Sequence, residues 1–175
     1  MKKYLVIGNP IEHSLSPQLH NYWIKENNID AVYDKKQLNE NDIEGIINEV
    51  KSDKIDGINV TVPFKKSVIS FLDELTQLAK ETQSVNTIFK KDNKIVGDNT
   101  DVAGFKQSLE YINYNVKNKK VFILGAGGVV PSILKALEKL GAAKVYISNR
   151  TKEKAKELES YYKISLGLET LDWGQ

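Results

Sequence analysis

The sequence VFILGAGG occupies residues 121–128, between a polar segment and a helical pattern that continues to Leu140. Its first four residues are typical of a buried strand, and its last four form a glycine turn. A glycine turn that joins a strand to a helix can bring a pyrophosphate to the amides of the helix N-terminus. The match to the G-x-G-x-x-G pattern is partial, because Val130 occupies the third glycine position. A tight turn in an α/β protein that binds no nucleotide is therefore the alternative.

The next predicted strand, residues 144–148, ends in a polar and basic segment. An NAD-binding protein would place a carboxylate there for the ribose 2′-hydroxyl, and this sequence has none. Arg150 can instead pair with a 2′-phosphate, Asn149 and Thr151 can donate hydrogen bonds, and Lys154 adds a positive charge. The segment therefore predicts NADP as the cofactor. The alternative is that Arg150 is a solvated surface residue and Thr151 a helix N-cap.

The first hundred residues alternate between predicted strands and helices, which indicates an α/β fold with a mostly parallel sheet. Strands are predicted over residues 4–8, 31–33 and 58–62, and residues 87–89 and 95–97 form a predicted hairpin. Helices are predicted after a Ser16 N-cap, over residues 43–50 and over residues 68–79. A further helix, capped by Thr100, would bury Phe105, Leu109 and Ile112, and residues 113–120 resemble a linker.

Composition excludes several classes of function. The chain has 175 residues and a net charge of +2 with interspersed signs, so no basic stripe indicates nucleic acid or a membrane surface as a partner. It has no cysteine and two histidines, which excludes disulfides and thiolate chemistry and argues against a metal site. No apolar run has the length of a signal-peptide core or a membrane helix. We expect a soluble cytosolic protein that binds a small polar molecule.

Two pairs of polar residues in the first unit are candidates for binding that molecule. Ser14 and Ser16 flank a predicted helix N-terminus, which favours an anion such as a carboxylate, although capping explains Ser16 equally well. Asn59 and Thr61 lie two residues apart, so their side chains point to the same face near the carboxyl end of a strand. The alternative for this second pair is hydrogen bonding to neighbouring loops.

Two charged residues are candidates for acid/base chemistry. Lys65 follows the Asn59 strand at the predicted start of a helix, where the helix dipole disfavours a cation. The same dipole stabilises the Asp101 carboxylate, which can pair with a nearby ammonium. The alternatives are a solvated lysine, as we interpret Lys66, and an ordinary carboxylate in a first helical turn. His20 is interpreted as a residue of the helix surface.

Six blocks of sequence resemble the shikimate dehydrogenase family in order and spacing. They are residues 8–17 (GNPIEHSLSP), 59–65 (NVTVPFK), 84–87 (SVNT), 97–101 (GDNTD), 125–128 (GAGG) and 149–151 (NRT). The resemblance implies NADP-dependent, reversible reduction of 3-dehydroshikimate to shikimate, on the chorismate route to aromatic amino acids. It also implies a substrate-binding domain over residues 1–101, a helix and linker over 102–115, and the first half of a Rossmann NADP-binding domain over 116–175.

The resemblance also implies a role for each candidate residue. Ser14 and Ser16 would bind the shikimate carboxylate, and Lys65 would be the acid/base residue, paired with Asp101. The ring hydroxyls would be contacted by Asn59, Thr61, Lys65, Asn86 and Asp101. The cofactor would be bound by Gly125, Ala126, Gly127, Gly128, Val129, Asn149, Arg150, Thr151 and Lys154.

The sequence departs from the family pattern in two ways. Val102 and Ala103 follow Asp101 where a glycine is common, and residues 129–131 replace the small residues usual after the glycine turn. The second unit is also short, so we expect the remaining strands of the family fold to be missing. Two alternatives follow: a catalytically impaired fragment that binds shikimate weakly, and a quinate/shikimate dehydrogenase. In the fragment, the strand at residues 121–124 would have an open edge.

Overall fold

A computed structural model describes residues 1–174 and divides the chain after Asn99 into two units. The first unit contains a six-stranded sheet in the order β2-β1-β3-β5-β6-β4. Its strands are β1 (Lys2–Gly8), β2 (Ala31–Gln37), β3 (Gly57–Val60), β4 (Glu74–Leu75), β5 (Thr87–Lys91) and β6 (Lys94–Asp98). Strand β5 runs antiparallel to both of its neighbours, and all other pairs are parallel. The prediction of a mostly parallel sheet is confirmed.

Helices cover this sheet. They are α1 (Ser16–Glu26), α2 (Ile43–Lys51) and α3 (Gln77–Thr82), with short 3₁₀ helices at Glu40–Asp42 and Ser67–Phe71. The apolar side of α2 consists of Ile43, Ile46, Ile47 and Val50, all of which are buried. This i, i+3, i+4, i+7 spacing is that of one helix face, so the periodicity of the sequence predicted α2 correctly.

The prediction of one helix over residues 68–79 is wrong. The segment instead forms the 3₁₀ helix, the short strand β4 and the start of α3. The N–H of Asp73 donates to Ile95 O at 2.9 Å, and β4 then pairs with β6. Thr76 caps α3 by accepting the N–H of Ala79. Pairing with β6 therefore overrides a helical pattern that the local sequence alone would favour.

The predicted hairpin is confirmed. Strands β5 and β6 are joined by Asp92 and Asn93, whose φ angles are 49° and 61°. A two-residue hairpin turn of type I′ needs positive φ at both positions, and Asp and Asn tolerate that region better than most residues.

The second unit has a three-stranded parallel sheet in the order β7-β8-β9. Its strands are β7 (Lys120–Leu124), β8 (Lys144–Ser148) and β9 (Glu169–Leu171), and its helices are α4 (Asp101–Tyr111), α5 (Val130–Lys139) and α6 (Lys152–Leu166). This arrangement is the start of a Rossmann-like domain, as the β-α-β-α reading predicted; β9 was not predicted. The longest helix in the described part of the chain, α6, has 15 residues, and no helix there is able to cross a membrane.

The core of the second unit includes Leu134, Leu137, Val145 and Ile147, with Phe105 and Leu109 of α4 packed against it. Ile112, predicted to be buried, follows the end of α4 and is 64% exposed. Val116 is buried in the same core, and the N–H of Asn118 donates to Gly141 O at 2.8 Å. The predicted linker over residues 113–120 is therefore packed against the second unit.

Candidate functional site

The carboxyl ends of β1 and β3 lie side by side in the first unit. Ile7 pairs with Val60 in parallel register, and the N–H of Thr61 donates to Ile7 O at 2.9 Å. One step further on, the N–H of Asn9 donates to Val62 O at 3.0 Å. These bonds hold the loop that follows β1 against the segment that follows β3.

Gly8 permits this close approach. A Cβ atom at Gly8 would lie 2.6 Å from Thr61 Cγ2, 2.9 Å from Ile11 Cδ1 and 3.1 Å from Val62 O. Real Cβ contacts are essentially never shorter than 3.0 Å. Any larger residue at position 8 would therefore displace Thr61, one of the predicted ligands.

Ser14 lies at the end of this loop, just before α1. Ser16 is the first residue of α1 and Leu15 occupies the N-cap, so the prediction that Ser16 caps the helix is wrong. Ser14 Oγ instead accepts the N–H of Ser16 at 3.3 Å, and the N–H of Ser14 donates to Ile11 O. Both serines are half-buried at the N-terminus of an 11-residue helix, where the backbone amides and the dipole favour an anion.

Lys65 and Asn86 are tied to the end of β3 through their backbones. The N–H of Val85 donates to Lys65 O, and the N–H of Val60 donates to Asn86 O, both at 2.8 Å. Lys65 lies in the turn over residues 62–66, ahead of a 3₁₀ helix of five residues. The expectation that it begins an α-helix is wrong, and the helix-dipole argument fails with it. The side chains of Lys65 and Asn86 are both half-buried.

Asn59 has hydrogen-bond partners on both sides of its amide. Its Oδ1 accepts the hydroxyl proton of Tyr33 at 2.7 Å, and its Nδ2 donates to Thr87 Oγ1 at 3.2 Å and to Asn86 O at 3.3 Å. The first unit thus collects Asn59, Thr61, Lys65 and Asn86 at the end of β3, beside the loop that carries the two serines. Asp101, the remaining candidate for this site, is the first residue of α4 in the second unit.

The glycine turn lies at the N-terminus of α5. Gly125 has a φ of 106°, which favours glycine, and its N–H donates to Ser148 O at 2.8 Å. Gly127 and Gly128 are exposed, and the structure shows open space around a Cβ placed on Gly127. Val130 is buried in the core as the first residue of α5, so its size serves packing between helix and sheet.

Asn149 links the end of β8 to the glycine turn. Its Oδ1 accepts the N–H of Ala126 at 3.0 Å, and its Nδ2 donates to Thr151 O at 2.7 Å. Arg150, in the loop between β8 and α6, and Lys154, in the first turn of α6, are both exposed. An open turn at a helix N-terminus followed by two exposed cations, with no carboxylate at the end of β8, fits a cofactor that carries a 2′-phosphate.

Two family models match most of the chain. Residues 6–88 match the "Shikimate dehydrogenase substrate binding domain" and residues 106–172 match "Shikimate / quinate 5-dehydrogenase". This chain belongs to the shikimate dehydrogenase family. The two matches fall on the two units that the structure separates, and together they contain most of the candidate residues.

Relatives named shikimate dehydrogenase (NADP(+)) share sequence with nearly the whole chain. The protein from Pelagibacter ubique is 57% identical over 174 residues, which are 99% of this chain and 64% of that protein. Shikimate dehydrogenase from Aquifex aeolicus, whose crystal structure is known, is 41% identical in sequence to this chain. The two structures match with a TM-score of 0.88 over 98% of this chain and 62% of the Aquifex aeolicus chain. The chain therefore spans less than two thirds of the length of these relatives.

One solved structure of the family contains both expected small molecules. The Thermus thermophilus shikimate 5-dehydrogenase was determined in complex with NADP(H) and shikimate. It is 29% identical to this chain with a TM-score of 0.86, and the match covers 98% of this chain and 63% of that protein.

Sequence analysis missed a group of residues behind Asn59. Tyr33, on β2, is 4% exposed, and its ring stacks on His20 of α1 at a centroid distance of 4.2 Å. Burial raises the pKa of Tyr33 to about 12 and lowers the pKa of His20. The interpretation of His20 as a surface residue is thus incomplete. The signal available in the sequence was the pair His20 and Asn21, two neighbouring polar residues in the helix that packs against β2.

Proposed function

We propose that this chain carries the shikimate-binding site and the first half of the NADP-binding site of an enzyme that reversibly reduces 3-dehydroshikimate to shikimate. The observation that carries the proposal is the convergence of Asn59, Thr61, Lys65 and Asn86 at the carboxyl end of β3. The loop after β1 is held against the same strand end and leads into α1, whose N-terminus carries the two half-buried serines. This combination offers hydrogen bonds to several hydroxyls, a cation and a subsite for an anion.

Each group of shikimate has a partner of matching chemistry. Ser14 and Ser16 would bind the carboxylate, because hydroxyl donors at a helix N-terminus favour a negative charge. The amide of Asn86 and the hydroxyl of Thr61 can both donate and accept hydrogen bonds, and Asn59 Oδ1 keeps a second acceptor site beside its bond from Tyr33, which suits ring hydroxyls. A polyhydroxylated ring acid is therefore the substrate class that the first unit fits best.

Lys65 and Asp101 are the proposed catalytic pair. Oxidation of shikimate removes the proton of one hydroxyl while the ring carbon loses a hydride, and NADP supplies the hydride chemistry when it is bound. Neutral Lys65 would take the hydroxyl proton and become an ammonium, which the Asp101 carboxylate would stabilise. In the reverse direction the ammonium would return that proton to the developing alkoxide. This chemistry requires no metal ion.

The second unit would bind the adenosine half of NADP. The glycine turn would receive the pyrophosphate through residues 125–129, and the 2′-phosphate would lie against Arg150 and Lys154. The Asn149 side chain, which already has two protein partners, would act by holding Arg150 and Thr151 in place.

The proposed domain limits differ slightly from the division between the two units. We place the substrate-binding domain at residues 1–101, the connecting helix and linker at 102–115 and the partial cofactor domain at 116–175. The structure divides the chain after Asn99, because α4 packs with the second core. Asp101 would then contribute to the substrate site from the first turn of the connecting helix.

Two alternatives are supported by single observations. The family description of residues 106–172 names quinate beside shikimate, so quinate is a candidate second substrate. Strand β7 is an edge strand of its sheet, with Phe122 50% exposed and Leu124 70% exposed. An apolar edge of this kind favours association or weak order of the second unit, which would give shikimate binding with little or no turnover.

The test is NADP reduction driven by shikimate, measured for this chain and for a form extended at its C-terminus, together with calorimetric binding of shikimate and quinate to this chain. We expect shikimate binding by this chain and turnover at least in the extended form. Binding without turnover by the 175-residue chain would favour the impaired alternative. Absence of both binding and turnover in both forms would refute the proposed function.

A further inference from the structure

Tyr33 is fixed by hydrogen bonds to its backbone as well as by packing of its ring. Its backbone N–H donates to Asn21 Oδ1 at 2.9 Å, and Asn21 Nδ2 donates to Tyr33 O at 2.7 Å. One side chain of α1 therefore satisfies both backbone groups of Tyr33. These two hydrogen bonds to a single amide fix the position of Tyr33 on β2, which is an edge strand of the described sheet.

The phenol ring is fixed in direction as well as in position. The rings of Tyr33 and His20 are nearly parallel, with 7° between their planes, and Trp23 contacts His20 edge-on at a centroid distance of 5.5 Å. Together with Val6 and Ile11, Tyr33 forms a small buried cluster of its own. The hydroxyl at the end of this ring reaches across β1 to Asn59 on β3.

A chain of side-chain hydrogen bonds begins at this hydroxyl. Tyr33 donates to Asn59 Oδ1, Asn59 Nδ2 donates to Thr87 Oγ1, and Thr87 Oγ1 donates to Asn86 Oδ1 at 3.2 Å. Asn59 and Thr87 face each other as a cross-strand pair of β3 and β5. The chain thus connects the buried cluster around Tyr33 to two residues proposed to meet the ring hydroxyls.

The direction of this chain is determined by an acceptor that cannot donate. Asn59 Nδ2 lies 3.3 Å from the backbone carbonyl of Asn86, so the NH₂ group of Asn59 must face that side. Its Oδ1 then faces Tyr33 and requires a donor there. Because burial raises the pKa of Tyr33 to about 12, the phenol keeps its proton and donates throughout the neutral range.

We propose that Tyr33 is a positioning residue for substrate recognition: its hydroxyl fixes the amide of Asn59 and, through Thr87, the amide of Asn86. The inference rests on the proposed function, since it assumes that these two amides contact the ring hydroxyls. Without the phenol proton, Oδ1 of Asn59 loses its donor, and the amide can adopt orientations in which it presents the wrong group to the substrate. Tyr33 itself need not touch the substrate.

The test is calorimetric binding of shikimate to four forms of this chain: wild type, Tyr33→Phe, Asn59→Ala and the double variant. Tyr33→Phe keeps the stacked ring and removes one buried hydrogen bond. We expect shikimate to bind roughly 3- to 10-fold more weakly to Tyr33→Phe. In the Asn59→Ala background the same substitution should change binding less than 2-fold, because the amide that Tyr33 positions is gone. The matched control is Tyr22→Phe, which removes an exposed phenol hydroxyl from α1 and should leave binding unchanged.

The outcomes separate this inference from the function on which it rests. The four forms are compared in this chain or, if it does not bind shikimate, in the form extended at its C-terminus; if neither wild-type form binds or turns over shikimate, the proposed function fails and the inference falls with it. If wild type binds and Tyr33→Phe binds equally well, or if the loss is the same with and without Asn59, the inference alone is overturned. Should Tyr33→Phe fail to fold, the side-chain amide signals of Asn59 in wild type decide by NMR. Slow solvent exchange of these protons supports the fixed orientation, and fast exchange overturns it.

Discussion

Asn149 Oδ1 accepts a hydrogen bond from the backbone N–H of Ala126 at 3.0 Å and so joins the end of β8 to the glycine turn 23 residues earlier. Its Nδ2 donates to Thr151 O at 2.7 Å. Arg150 lies between Asn149 and Thr151 in the sequence, within the short segment that this second bond spans. One amide therefore holds the backbone on both sides of Arg150 to the glycine turn proposed for the pyrophosphate.

Asn149→Asp should weaken the binding of NADP. The carboxylate keeps an acceptor for Ala126 but loses the donor to Thr151, and it adds a negative charge beside the expected 2′-phosphate. Loss of a hydrogen bond together with charge repulsion corresponds to about 1.5–3 kcal/mol, or roughly 10- to 150-fold in affinity. NAD lacks that phosphate and should be affected less. Calorimetry with both cofactors measures the difference, and equal losses would argue against this placement of the phosphate.

Arg150→Ala should raise the KM for NADP strongly and the KM for NAD little. A charge-assisted pair with a phosphate contributes about 1.5–3 kcal/mol. Lys152→Ala is the matched control, because the Lys152 ammonium is engaged by Asp172 in the structure. Steady-state kinetics with each cofactor compares the variants. A 2′-phosphate role for Arg150 would be refuted by equal changes in both KM values.

Lys65→Ala should lower kcat by roughly 10²–10⁴-fold, the usual contribution of a general acid/base. The readout is the steady-state rate of NADP reduction by shikimate, in this chain or in a longer form that contains it. Lys66→Ala removes a neighbouring, exposed lysine and should leave kcat unchanged. If Lys65→Ala had the kcat of the parent enzyme, Lys65 would not be the acid/base residue.

Gly8→Ala should destabilise the first unit and weaken shikimate binding, because the new methyl group would overlap Thr61 and Ile11. Overpacking of this kind costs about 1–3 kcal/mol of unfolding free energy. The matched control is Gly45→Ala in α2, where the structure shows open space around the added Cβ. There the substitution should stabilise by about 0.5–1 kcal/mol, since glycine is unfavourable inside a helix. Chemical denaturation compares the variants, and equal effects would contradict the close contact.

The stability of the chain should fall on acidification in part through His20. Burial lowers the pKa of folded His20 below its ordinary value of 6.5. Below about pH 6.5 the unfolded chain therefore binds a proton that the folded chain does not, and the unfolding free energy decreases until the folded pKa is passed. His20→Phe keeps a ring against Tyr33 and removes the contribution of His20 protonation to the loss of unfolding free energy. Thermal unfolding of both forms at pH 8 and pH 5 provides the test: the variant should lose less stability than wild type.

Local sequence determined the elements whose pattern and packing agree. Helix α2 has its apolar residues at helical spacing, and all of them face one core. The turn at Asp92 and Asn93 suits a two-residue hairpin, and the order of the six family blocks identified the family. The glycine turn at Gly125 was recognisable because positive φ and an adjoining helix are local requirements. Such features depend on residues close together in the chain, so a single sequence contains enough information to predict them.

Only the tertiary structure decided the features that depend on distant partners. The segment over residues 68–79 has a helical pattern, yet bonds to β6 divide it, because hydrogen bonds to a strand more than 20 residues away replace those of a helix. Tyr33 appeared in the sequence as an ordinary strand residue. Its contact with Asn59 exists only because β2 and β3 lie on either side of β1 in the sheet, within reach of the tyrosine side chain. The sequence predicts Asn149 as a cofactor-binding residue, and only the fold shows that its amide is also hydrogen-bonded to Ala126. A residue's chemical type is written in the sequence, but its hydrogen-bond partner is set by which strands become neighbours.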